Sequence, residues 1–138
     1  MAQFSEWYAM EILDHVLRGD TAPSPTNLWF GLATADTNLR ANSFTDEVST
    51  SGTGYARIEV GPGSAYGFSV AVSPGISSVV GQVDFSAATT DWGVITHGFL
   101  ADASTAGNVI LYGELVPNQD VYTTDIIRFL NGAMDVTL

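Results

Sequence analysis

His15 and His97 are the chain's only histidines, the one side-chain type whose ordinary pKa lies near neutrality. Acid–base catalysis needs such a group held close to a nucleophile. His15 falls near Glu11, and His97 falls between Trp92 and Phe99. A serine, His97 and Asp91 supply the residue types of a hydrolytic triad, but no serine sits in a G-x-S-x-G setting. Carboxylates could hold a hard cation, and Asp36, Asp46 and Glu47 share one stretch while Asp102 lies in another. Fifteen acids in 138 residues bring some together by composition alone. Neither H-E-x-x-H nor an EF-hand spacing occurs. Glycines at Ser51–Gly54 and Gly61–Gly63 are followed by neither lysine nor a helix start, so they read as turns, not phosphate cradles. The absence of cysteine removes thiolate nucleophiles, disulfides and cysteine-ligated metals. These readings assign no catalytic, cofactor-binding or metal-binding residue and predict a non-enzyme.

The charge is more informative. Fifteen Asp and Glu face four arginines (Arg18, Arg40, Arg57 and Arg128) and no lysine, a formal charge of −11. Gripping a nucleic-acid backbone needs a basic footprint, and four scattered arginines make none. Anionic membrane surfaces are disfavoured for the same reason. No apolar run reaches the roughly 20 residues of a spanning helix, and Met1 to Phe4 lacks the basic start of a signal peptide. Nucleic acid and membrane are therefore not expected as partners. The 46% hydrophobic residues suffice for one core, so residues 1–138 are expected to form a single domain.

The elements that would position these residues begin with a helix. Phe4, Trp7, Tyr8, Ile12, Val16 and Leu17 recur at three- and four-residue spacings, which predicts an amphipathic helix over about 4–18. Ser5 is its expected N-cap and Gly19 its stop. Two prolines, Pro23 and Pro25, then turn the chain. From about residue 27 the period becomes that of strands: Leu28–Leu32, Tyr55–Val60, Phe68–Val72, Ile76–Phe85, Trp92–Leu100, Val109–Leu115, Ile126–Leu130 and Met134–Leu138. Residues 36–54 read as a long loop. Turns are expected at Gly61-Pro62-Gly63, Ser73-Pro74-Gly75 and Pro117–Asp120, and Asn131-Gly132 as a two-residue hairpin turn. The predicted fold is mainly β: an antiparallel β-sandwich or jelly-roll-like, partly closed barrel carrying one N-terminal helix.

Read in order, several stretches carry a resemblance. They are Phe4-Ser5-Glu6-Trp7, Glu11 to Gly19, Leu28-Trp29-Phe30-Gly31-Leu32, Gly54-Tyr55-Ala56-Arg57, Asp91-Trp92-Gly93 with Thr96 to Phe99, Asn108 to Gly113 and Arg128 to Leu138. Together they resemble a family of small structural proteins of tailed-bacteriophage virions, either capsid decoration (cement) proteins or tail- and fibre-associated ones. The resemblance implies no enzymatic role. It implies an outer capsid decoration protein that stabilises the head, with a tail, baseplate or fibre-associated adhesion role as the alternative. The expected partners are further copies, as a homotrimer, and the major capsid protein, or else tail or baseplate proteins. The expected location is the outer surface of the virion, after assembly in the host cytoplasm, because an acidic chain is repelled by packaged DNA. Aromatic anchors carry much of an interface's energy, and scarce cations in an acidic chain tend to be paired. Trp7, Tyr8, Arg18, Trp29, Arg57 and Trp92 are therefore the candidate interface residues.

Overall fold

The computed structural model describes residues 2–62, 64–73 and 75–137. Strand β1 (Gln3–Phe4) leads into helix α1 (Glu6–Arg18), and β2 (Trp29–Ala33) follows the proline turn. The short helix α2 (Thr37–Arg40) lies inside the segment expected as a loop. Strands β3 (Ile58–Glu59), β4 (Ile76–Ser78), β5 (Val83–Asp84), β6 (Gly93–Ala101), β7 (Val109–Val121), β8 (Arg128–Phe129) and β9 (Asp135–Thr137) complete the order.

The sequence reading placed these strands in a sandwich or partly closed barrel, and the topology overturns it. The fold is mixed α/β, with an open five-stranded antiparallel sheet in the order β1-β7-β6-β2-β3 and two separate ribbons, β4-β9 and β5-β8. Among the described residues no sheet closes into a barrel: the edge strands β1 and β3 are two residues long and pair on one side only. Phe68 to Val72 contributes only isolated bridges, Phe68 to Val79 and Val72 to Ile76, and not a strand. The turn expected at Pro117–Asp120 is also corrected. Strand β7 runs on to Val121, and its register against β6 shifts between Ile95 and His97, where three extra residues of β7 interrupt the ladder.

Asn131-Gly132 does turn the chain, with the Ala133 N–H donating to the Leu130 carbonyl (2.9 Å). It makes no hairpin: β8 pairs with β5, whereas β9 pairs with β4. Only Gly132 takes positive φ (74°), while a type I′ hairpin turn needs it at both central residues. The turn expected at 61–63 is closed by the Ser64 N–H donating to the Gly61 carbonyl (3.1 Å), although Gly63 itself lies outside the described residues, as does Pro74, the centre of the turn expected at 73–75. Met1 and Leu138 lie outside them too.

Alternation along the sheet gives two cores. Phe30, Leu32 and Leu100 pack with Tyr55, Phe85 and Trp92 in the larger one, together with Val83 of β5 and Ile127 beside β8. On the opposite face Ala33, Phe99, Ala101, Val109 and Tyr112 are covered by Leu39 of α2 and by Phe44. The stretch expected to be a loop is therefore a lid on the sheet.

Candidate interaction surface

Arg57 makes four side-chain hydrogen bonds within the fold. Its guanidinium donates to Glu47 through both Nε (2.8 Å, to Oε1) and Nη2 (2.7 Å, to Oε2). Nη1 donates to the carbonyls of Ala103 (2.7 Å) and Ala106 (2.9 Å). The Phe44 ring lies 4.0 Å from the guanidinium carbon on one side and Phe99 lies 5.2 Å away. Tyr55 completes the cluster by donating its hydroxyl to Glu47 (2.9 Å) and accepting the Leu32 N–H (2.9 Å). Burial and the adjacent Glu47 charge push the Tyr55 hydroxyl pKa far up, so it remains a donor at any ordinary pH. Fork geometry explains why arginine stands here: a lysine could not hold a carboxylate bidentately and two carbonyls at once.

Arg57, at 6% exposure, ties the 36–54 lid to the 102–108 loop from within. Trp92 is also turned inward. Its indole N–H donates to the Thr53 carbonyl (2.8 Å), and its ring meets Tyr55 edge-on at 5.4 Å. Of the six candidate interface residues, Arg57 and Trp92 thus hold the fold, while Trp7, Tyr8, Arg18 and Trp29 keep exposed or half-exposed positions. Arg18 bridges Asp20 (3.4 Å) and Asp14 (3.9 Å) at the end of α1.

Among the described residues neither histidine hydrogen-bonds a serine or Asp91. Nδ1 of His15 meets the Asp20 carbonyl (2.6 Å). His97 meets the Thr96 hydroxyl (2.7 Å) and lies 3.9 Å from Asp36. Asp91, the third member of the notional triad, instead accepts from the N–H (2.8 Å) and hydroxyl (3.0 Å) of Thr123. The carboxylates of the lid are separated as well: Asp46 accepts from Asn38 (2.8 and 2.9 Å), while Glu47 faces Arg57. Among the described residues no three His, Asp or Glu side chains cluster as metal ligands. No helix there is long and apolar enough to cross a membrane. An apolar recess between Leu100, Leu111, Phe129 and Met134 holds about 150 Å³, below the ~300 Å³ at which small-molecule sites begin. A wider, open trough of about 570 Å³ lies between β7 and residues 125–129. Its cation, Arg128, is already held by Asp84 (2.8 Å).

Helix α1 is the feature left without a counterpart in the fold. Ser5 caps it by accepting the Tyr8 N–H (3.2 Å), and the same hydroxyl, fully buried, donates to the Val109 carbonyl. Gly19, at φ 77°, ends it, and its N–H returns to His15 (3.2 Å). Phe4 packs on Tyr8 with tilted rings 5.3 Å apart, and Glu6 bridges Arg40 (3.0 Å). These contacts anchor the first turn only. No residue of α1 is buried, and Met10 (59% exposed), Leu13 (56%), Val16 (69%) and Leu17 (76%) face solvent. At 100° per residue they fall with Ala9 in a sector of about 120°, while Glu11, Asp14 and Arg18 occupy the far side. Met10 and Leu13 escaped the sequence stripe, although the spacing 10-13-17 was there to be read. A helix of 13 residues is marginal in water by itself, and this uncovered ridge is the candidate interaction surface of the fold.

A family model described as podophage GP4 fiber I protein gp80 matches residues 3–137. No curated protein matches the chain. The match favours the fibre side of the sequence expectation over capsid decoration.

Proposed function

The chain belongs to this phage fibre-protein family, and we propose that it is a non-enzymatic, tail- or fibre-associated structural component of the virion. The observation that carries this reading is the family match, which spans residues 3–137 of 138. The molecule supports it with two cores built around packing, a buried ion pair that locks loops together, and an exposed apolar helix suited to assembly. Its partners in this role are other tail or fibre proteins. The homotrimer and the contact with the major capsid protein belong to the head-decoration alternative. The −11 charge favours the outward side of the particle, away from packaged DNA.

Labelling intact particles with antibody fragments against this chain, followed by imaging, tests the role. Label on the tail or its fibres is the expected result. Label spread over the head lattice would overturn it and restore capsid decoration.

A further inference from the structure

Asn131 and Gly132 turn the chain between β8 and β9, and the same two residues can react with each other. Asn131 is exposed, and a Cβ on Gly132 would meet nothing within 4 Å. No side chain therefore hinders the Gly132 nitrogen as it approaches the Asn131 carboxamide. The five other asparagines precede Leu28, Leu39, Ser43, Val109 and Gln119, whose side chains crowd that approach. Asn42, before the smallest of these, is tied on both sides. Its carboxamide meets Asn108 (3.0 Å) and the Val109 N–H (2.7 Å), and the Ser43 N–H donates to the Asn38 carbonyl (2.8 Å).

The reaction is a ring closure followed by hydrolysis. The Gly132 nitrogen gives up its proton and bonds to Cγ of Asn131. The Cγ–Nδ2 bond breaks, and Nδ2 leaves as ammonia with that proton. Water then opens the ring at either of its two carbonyl carbons. One product is an ordinary aspartate at position 131; the other is isoaspartate, whose main chain runs through Cβ and Cγ.

In the folded turn both reacting groups are held. The Gly132 N–H donates to the Val79 carbonyl (3.1 Å), and Oδ1 of Asn131 accepts the Gly81 N–H (3.1 Å). Val79 also donates its own N–H to the Met134 carbonyl (3.0 Å). At 1% exposure, Val79 anchors this tie in the larger core. Base must reach the Gly132 N–H before the ring can close, so the turn must first swing off Val79.

We propose that Asn131 is a site of spontaneous deamidation, and that release of the Gly132 N–H from Val79 sets its rate. An aspartate there still accepts from Gly81. Isoaspartate instead adds one main-chain atom to the turn, which displaces 132–134 from Val79 and loosens the β4-β9 ribbon.

The test incubates the purified full chain and a synthetic peptide of residues 128–135 in parallel at mildly alkaline pH. Mass spectrometry with peptide mapping follows the loss of ammonia, and enzymatic methylation detects isoaspartate. Amide exchange needs the same opening, so it is measured at Gly132 under the same conditions. Asn131 is expected to convert before the other asparagines. Its rate in the folded chain, relative to the peptide, is expected to match the Gly132 exchange protection within about threefold. The isoaspartate form is expected to exchange the Val79 amide about tenfold faster or more, whereas Asn131→Asp keeps the wild-type rate there. A larger mismatch in either direction overturns the proposal; a folded chain as fast as the peptide would mean that the Gly81 N–H activates the carboxamide. So does conversion of another asparagine first, no conversion at all, or an isoaspartate form with unchanged Val79 exchange.

Discussion

Arg57 and Asp84 show how differently two ion pairs behave when one is buried and the other is at the surface. Removing Arg57 leaves Glu47 largely buried with Tyr55 as its remaining donor, and leaves two carbonyls and two aromatic faces without their cation. Breaking a buried pair from one side costs about 3–5 kcal/mol, so Arg57→Ala is expected to lower urea-unfolding stability by that amount. A loss of only a few tenths would mean that water already reaches the pair. At the surface, the hydrogen bond from Arg128 holds the Asp84 carboxyl below the usual carboxylate range, helped by Gln82. A depressed folded pKa contributes stability above the unfolded pKa and loses it as pH falls through the folded one. Acidification below about pH 4 should therefore weaken the β5-β8 ribbon. Thermal melts of Asp84→Asn are expected to change less across that window than those of the wild type; identical slopes would show that the pair adds nothing.

At the scale of elements, the central strands depend on close approach. A Cβ on Gly31 of β2 would lie 2.2 Å from the Phe99 ring on β6, and one on Gly98 would lie 2.8 Å from the Phe30 ring. Glycine is required there because an aromatic ring from the neighbouring strand covers each position. Overpacking of this kind costs about 1–3 kcal/mol, and Phe99 also backs the guanidinium of Arg57. Gly31→Ala is accordingly expected to destabilise the chain by that much and to loosen the 36–54 lid, seen as faster amide exchange there. Unchanged exchange in the lid would disconnect the two. Helix α1 shows the opposite economy of contact: it is capped at both ends and anchored at its first turn, yet none of its residues is fully buried. The outer edge of β7 beyond Tyr112 is not paired by β1. Pro117, Glu114 and Asp120 guard it against strand addition, which leaves α1 the better route to a partner.

For the whole molecule the unbalanced charge is the governing quantity. Self-repulsion of a chain at −11 opposes compactness and is screened by salt. The melting temperature of the wild type is therefore expected to rise between low and moderate ionic strength; a fall would mean that the four ion pairs outweigh the surplus acids. What was legible in the sequence was what depends on neighbours along the chain. The α1 caps at Ser5 and Gly19, the strand character of Trp29–Ala33 and of β6, and the paucity of cations all follow from local spacing or composition, as does the lack of any catalytic motif. The family resemblance, spread over the full length, carried the structural role. Other features depend on residues that meet across the fold. Glu47 was one acid among fifteen until the lid carried it against Arg57. Asn131-Gly132 encoded a turn, but not that its two arms would pair with different strands. The open sheet in place of a barrel was decided in the same way, because strand pairing is a contest among distant edges that alternation alone does not rank. The sequence wrote an amphipathic helix; only the tertiary structure left its ridge uncovered, since burial depends on what the rest of the chain brings to that face.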